Sequence, residues 1–537
     1  ELSSTKRSRL HRKTAEALEK LRTEDDLAGA GELAYHWSEA SSAGETVKAI
    51  DAARHAAELA LKAAAPMEAA RWYAHALELT DEDNVRDRAE FMILAAHARL
   101  YGGDADAESD SLPAARLAET IDDLDLVVQA LELAVRTNLS LGEAVDLERI
   151  EFIERTIERM GDVTPELRAR VYCSLALQLI YTGDVTRRAE LTSAVDALIG
   201  EIDDPLLRYR IGALCQRARP WSTLTTDYYR SRINSSEHHV VLAHDDVMVR
   251  YDAVQNEWFP NLVLGDGARA RAGLAMLDEM AIRTRHPFLE DMVPFWSMMF
   301  HLVEGDLAGC ERDKQLMIDR WTRHAWPSIE IYATSADAQM ARESGLLPFL
   351  SDEVLAVEDN SVPTVRAGIA AIARKEAGDR DAVVQMVRQR GRNHFRDVID
   401  DAALPIVYST WSEAAAYAGA VDAINAWYER LSNDPELHFT TGGWYLGSAT
   451  RNLGLLCSAL GRDNEAMDWF AQAVAAHERM RTPPWLARTL LDWADHELTM
   501  GRRDAVRDHV DRALEVIGDL ALDASRNRAA ALRVRLA

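Results

Sequence analysis

The chain has 537 residues, 48% hydrophobic, 28% charged and 7% aromatic, with 61 Lys plus Arg against 88 Asp plus Glu and a formal net charge of −27. That length exceeds what one compact core uses, so several domains or a repeat array is expected, and the acidic excess argues against a surface that tracks phosphate backbones or anionic lipid. No apolar run reaches the roughly 18 residues that cross a bilayer, and Cys173, Cys215, Cys310 and Cys457 include no C-x-x-C pair, a pattern that reads as reduced, cytoplasmic and incidental.

The chain opens on Glu1 rather than Met, and whether it is a piece of something longer stays open in the sequence. Its first 22 residues carry seven basic side chains (Lys6, Arg7, Arg9, Arg12, Lys13, Lys20, Arg22) against Glu1, Glu16 and Glu19. Four arginines and no acid close the last fourteen residues. These ends read either as solvated helix faces or as contacts with a neighbouring domain. Next, Gly29-Ala30-Gly31-Glu32-Leu33-Ala34 matches G-x-G-x-x-A in form only. A dinucleotide site needs a strand before it, and RTEDDLA is not strand-like, so a turn between helices is expected.

From Gly103 onward, glycines followed by polar residues recur at the ends of apolar segments: Gly103, Gly142, Gly183, Gly265, Gly305, Gly345, Gly378, Gly419, Gly461 and Gly501. The spacing stays near 40 residues, with one double interval between Gly183 and Gly265 and a short one before Gly378. Phase supports the repeat more strongly than spacing. After Gly461 the apolar positions are Ala466, Trp469, Phe470, Ala473 and Val474, and after Gly501 the same offsets give Val506, His509, Val510, Ala513 and Leu514. Those offsets draw one stripe on an α-helix. Leu446, Ala449, Leu453, Leu456 and Leu460 form another stripe before Gly461. Each unit therefore reads as helix, Gly-terminated turn, helix.

One helix pair cannot bury both apolar faces, whereas stacked pairs can, so the expected fold is an all-α solenoid. About twelve helical-hairpin repeats in a right-handed superhelix are anticipated, with no sheet. Prolines at 66, 205, 287, 363, 435, 483 and 484 fall between units or at helix starts. The apolar phase slips at Arg188 and at Asp313–Lys314, where irregular units are expected. The map is 1–80 for the entry and first repeats, 81–204 for further repeats, 205–350 for divergent aromatic-rich repeats and 351–537 for the C-terminal repeats and cap.

His238, His239, His244, Asp245 and Asp246 are the densest set of metal-ligand types, but their intervals do not share a helix face and an exposed polar segment is expected, with no metal. G-x-x-x-x-G-K-[ST], H-E-x-x-H and G-x-S-x-G are all absent, so no catalytic residue and no cofactor is assigned. Aromatics say more. Eleven of the 13 tryptophans lie between Trp221 and Trp493, and Trp221, Trp258, Trp296, Trp321 and Trp326 cluster in the middle with Tyr228, Tyr229, Tyr251, Phe259, Phe295 and Phe300. Such rings either fill the core or line a groove, because solenoids present first-helix side chains on their concave side. The candidate groove is Trp221, Tyr251, Trp258, Trp296 and His301.

Two segments, Arg7 to Leu79 and Ala459 to Leu520 (ALGRDNEAMDWFAQAVAAHERM and onward), resemble the C-terminal tetratricopeptide-like region of bacterial signal-transduction ATPases. That group includes maltose-regulator-like and LuxR-type transcriptional regulators, and similar arrays occur in ATPase-linked class III adenylate cyclases. The likeness is weakest from about Asp203 to Phe349, the aromatic stretch. The resemblance implies a non-catalytic sensor and scaffold array that binds a protein partner or small-molecule effector in its groove and regulates an attached ATPase or output module. Alternatives are the regulatory arm of an ATPase-linked adenylate cyclase and a free-standing peptide-binding adaptor. Direct nucleic-acid or membrane binding by this chain is not expected.

Overall fold

The computed structural model describes residues 3–21, 27–41, 44–136, 145–233, 236–324, 326, 328–349, 363–391, 400, 403–441 and 444–536. The marker Gly142 lies outside them. Helix follows helix along the described chain, and successive helices pack side by side as hairpins. The fold is an all-α solenoid. No described helix is long and apolar enough to cross a membrane.

The hairpins form where the glycine period places them. The first helix Pro287–Glu304 ends at Gly305 with φ +81°, a left-handed backbone that glycine adopts without a Cβ clash. Asp306 then accepts the Gly309 N–H at 2.8 Å and caps the second helix, Leu307–Arg323. The same acid-after-glycine device caps the helices after Asp184, Asp266 and Asp379. Proline opens several first helices, including Pro205–Ala218, Pro287–Glu304 and Pro483–Thr499.

Three sequence expectations are corrected here. Gly29 and Gly31 lie inside the helix Leu27–Ala40 and not in a turn between helices. A Cβ at Gly31 would reach ordinary contact with the Trp72 ring, so the small residue sits where two helices pack closely. The helices at Arg188 and Lys314 are regular: Val185–Ile199 and Leu307–Arg323. The phase slips because charged residues occupy core positions with partners. Arg188, 1% exposed, donates to the carbonyls of Ala218 (3.1 Å), Arg219 (3.1 Å) and Asp400 (2.5 Å). Lys314 is held between Glu311 and Asp337. A sheet is also present: His438–Thr441 pairs antiparallel with Trp444–Ser448. Every residue of both strands is buried, so neither shows the one-sided alternation of a half-exposed strand.

The hairpin lies on a seam between successive turns of the superhelix. Across it, residues slightly more than 200 positions apart meet. The Arg479 guanidinium donates to the Leu264 carbonyl at 3.5 Å, and Arg271 donates to the Arg481 carbonyl at 3.2 Å. Arg230 pairs with Glu436. Pro287–Glu304 packs on Pro483–Thr499, and Ile329–Ser344 on Asp523–Leu536. Five units of about 40 residues thus make one turn, and the largest apolar cluster runs from Met248 to Trp485 across the join. Glycine permits the close approach. A Cβ at Gly267 would overlap the Met480 carbonyl, and one at Gly265 would overlap the His438 ring.

Candidate functional site

Three consecutive first helices turn one face each toward a common space. Pro205–Ala218 contributes Leu207, Arg210, Leu214 and Arg217, a stripe at helical spacing. Val247–Val263 contributes Met248, Tyr251, Asp252, Gln255, Asn256 and Phe259, and Pro287–Glu304 contributes Phe288, Met292 and Trp296. Tyr101 joins them from Val85–Tyr101, and Thr441 from the first strand of the hairpin. The space they enclose is a cavity of about 380 Å³ between turns of the superhelix. That is the size and mixed character of a small-molecule site.

Its wall is built from edge-to-face rings. Tyr251 meets Phe288 at 5.2 Å between centroids, Phe288 meets Trp326 at 5.7 Å, and Trp221 meets Phe259 at 6.1 Å. Burial pushes the Tyr251 and Tyr332 phenols well up, so both stay protonated at neutral pH. The polar side is uneven. Arg170 holds Glu132 with two bonds (2.7 and 2.9 Å) and Asp125 at 3.1 Å, which satisfies that cluster internally. Arg210, Arg217 and the Asp252 carboxylate form no ion pair with a described residue.

Of the five candidate groove residues, the structure brings Trp221, Tyr251 and Trp296 to the cavity. Trp258 is 0% exposed and stacks edge-on behind Trp296 at 4.7 Å, over Gly273, whose missing side chain leaves it room. It is a core residue and not a groove residue. His301 does not line this cavity either: five residues beyond Trp296, it faces the second helix of its own hairpin and pairs with Asp306 and Asp313, each at 3.1 Å. Sequence reading missed Arg210, Arg217, Asp252 and Gln255. Met248, Tyr251, Asp252, Gln255 and Phe259 recur at helical spacing, a mixed stripe in which polar residues alternate with rings.

In the histidine-rich segment His239, Asp245 and Asp246 are exposed as expected, and His238 is the exception. His238 is 4% exposed and bridges the Tyr209 hydroxyl and Glu257, each at 3.0 Å, which holds the Glu257 carboxyl low. No group of metal-ligating side chains gathers among the described residues.

A second cavity, of about 660 Å³, opens on the interior of the C-terminal turn, and charge fills it. Glu413, fully buried, accepts from Arg342 and Lys375 at 2.7 Å and from Arg451 at 2.8 Å. Arg451 continues to Asp492, and Asp492 to Arg528 at 2.7 Å. Arg488 joins Glu343 at 2.7 Å, and the guanidiniums of Arg342, Arg451 and Arg488 surround the Trp485 ring. Although burial alone would raise it, the three cations hold the Glu413 carboxyl well below the usual range.

No protein-family model matches the chain, and no curated protein matches it significantly. Among solved structures, the chain is similar to one titled "Crystal structure of APC/C hetero-tetramer Cut9-Hcn1", at 13% identity and TM-score 0.42, covering 94% of this chain and 96% of that one. It is similar to "Structure of Naa15/Naa10 bound to HypK-THB" at 11% identity and TM-score 0.21, covering 99% and 97%. These scores are too low to carry an argument, and the solenoid assignment rests on the helices and hairpins of the chain itself.

Proposed function

We propose that this chain is a non-catalytic sensor and scaffold array whose inter-turn cavity binds a small-molecule effector and whose occupancy regulates an attached signal-transduction ATPase or transcriptional-regulator module. One observation carries the reading: the cavity is walled by three neighbouring first helices, by Tyr101 and by Thr441 of the hairpin strand, where the turns meet. A ligand there touches both sides of the seam, so it favours one spacing of the turns over another. Differential affinity for two arrangements is what regulation by a ligand requires. The 205–350 segment is then the specialised part of the array, and the repeats on either side are scaffold, of tetratricopeptide-like type.

The test has two parts. Thermal-shift screening of a metabolite collection on the purified chain is expected to return ligands that stabilise it but not Leu214→Trp, which fills the cavity from the middle of the Pro205–Ala218 stripe. Reading the frame on both sides of residues 1–537 then shows whether a nucleotide-binding module is attached. Ligands that stabilise Leu214→Trp equally well would place binding elsewhere. A frame with no such module, and no such protein co-purifying, would overturn the regulatory half.

A further inference from the structure

The cavity has a chemical polarity that narrows its ligand, and the argument rests on the cavity reading above. Arg210 and Arg217 lie two helical turns apart on one face of Pro205–Ala218, and both line the space. Neither forms an ion pair or hydrogen bond with a described residue. In a chain with 88 acidic and 61 basic residues, carboxylates are the commonest partners available, and most arginines near this one are engaged. Arg170 holds Glu132, Arg208 holds Glu237 at 3.0 Å, and Arg219 holds Asp196. Two guanidiniums kept apart from acid beside an aromatic cavity are poised for an anion from outside.

Glu132 has both oxygens on Arg170 and offers nothing to a ligand. Asp252, on the adjacent helix, is the one other carboxylate among the lining residues, and it pairs with neither Arg210 nor Arg217. Arg170 is taken up by Glu132 and Asp125, which leaves Arg210 and Arg217 against Asp252 as the charges of the lining outside an ion pair. The Arg217 charge also acts on the Tyr251 phenol. Deeper in, the Trp296 indole N–H, in a residue 4% exposed, lies beside that phenol without reaching hydrogen-bond geometry.

We infer that the cavity takes a small molecule with a ring-containing apolar body and one anionic group, the anion held by Arg210 and Arg217 and the body lying against Trp221, Phe259, Phe288 and Trp296. Guanidinium forks bind the oxygens of carboxylate, sulfonate or phosphate groups through paired, charge-assisted bonds, and the rings supply contact area.

Two fluorescent probes of nearly equal shape separate the terms: anilinonaphthalene sulfonate, which is anionic, and N-phenylnaphthylamine, which is neutral. The wild-type chain is expected to bind the sulfonate at least about tenfold more tightly, the scale of one charge-assisted hydrogen bond. Arg210→Gln/Arg217→Gln should erase that preference and leave the neutral probe unchanged, and Leu214→Trp should block both. Equal binding of the two probes, untouched by the arginine changes, would overturn the anion assignment and leave the cavity reading standing. Binding of neither, or binding indifferent to Leu214→Trp, would remove the cavity reading and this inference with it. Displacement of the sulfonate by inorganic phosphate would show a free-anion site and overturn the ring-bearing ligand. If the double variant fails to fold, salt dependence decides: added salt should weaken only the sulfonate, and equal weakening or none overturns the proposal.

Discussion

Asp434 caps a helix that begins 208 positions earlier in the chain. Its carboxylate accepts the backbone N–H of Thr226 at 2.7 Å and the Thr226 hydroxyl at 2.8 Å, at the first residue of Thr226–Ile233. Helix N-termini carry unpaired N–H groups that a neighbouring side chain ordinarily satisfies. Here the acceptor comes from the next turn of the superhelix, so local helix stability and the closure of the seam are one quantity.

Replacing Asp434 with Ala is expected to cost about 1–2 kcal/mol locally. The readout is amide hydrogen exchange in Thr226–Ile233, which should accelerate roughly 5- to 30-fold while the N-terminal repeats stay unchanged. Unchanged protection there would mean that the seam does not depend on this cap.

Trp258 and Trp221 should respond oppositely to truncation. Trp258→Ala removes a ring with no solvent exposure, behind Trp296 and over Gly273, and should cost roughly 3–5 kcal/mol. Trp221→Ala, at the half-buried edge of the cavity, should cost much less, about 1 kcal/mol. Melting curves of the two variants compare them directly, and a Trp258→Ala chain that melts like the wild type would contradict the packing described above.

The charge network predicts acid sensitivity with a definite sign. Glu413 has its folded pKa well below the unfolded value near 4.5, so its contribution is complete above that value. It is lost as pH falls through the folded pKa. Glu413→Gln leaves Arg342, Lys375 and Arg451 with less compensation and should cost roughly 3–5 kcal/mol at neutral pH. Melting temperature measured from pH 7 downward should fall below about pH 4.5 in the wild type, and the gap between wild type and variant should shrink there. A gap that widens on acidification would reverse the assignment.

The solenoid was legible because its signals are local. The glycine after each first helix, the acid that caps the second and the 3.6-residue stripes need no knowledge of the rest of the chain. What was not legible depends on the seam. Thr226 finds Asp434, Arg188 finds the Asp400 carbonyl and the Met480 carbonyl finds Gly267 only after one full superhelical turn. For the same reason Arg188 read as a disruption of the phase when it is a satisfied core residue. The HFTT and WYLGS strands were overlooked for lack of alternation, although their β-branched and aromatic residues flank Gly442-Gly443, a hairpin signal in itself. In the site, rings drew attention and polar stripe members did not. Trp258 and His301 share a helix with true lining residues but point along other faces.

Gly267 offers a test of the seam that leaves every polar contact intact. Gly267→Ala places a Cβ against the Met480 carbonyl, which is backbone and cannot step aside as a flexible side chain would. The turns should separate, increasing the radius of gyration in solution scattering and exposing the hairpin to protease. An alanine variant as compact as the wild type would show that the turns can slide to absorb it.

The join between turns also sets an order of events during synthesis. An open repeat array can finish each unit as it leaves the ribosome, because each contacts only its neighbours. Here the edge formed by Thr226, Leu264 and Gly267 meets its partners at Asp434, Arg479 and Met480. At ordinary elongation rates of about 5–20 residues per second, the wait for those partners lasts on the order of 10–40 s. For that interval the aromatic middle of the nascent chain is uncovered on one side, a window in which a chaperone or a premature ligand would find it.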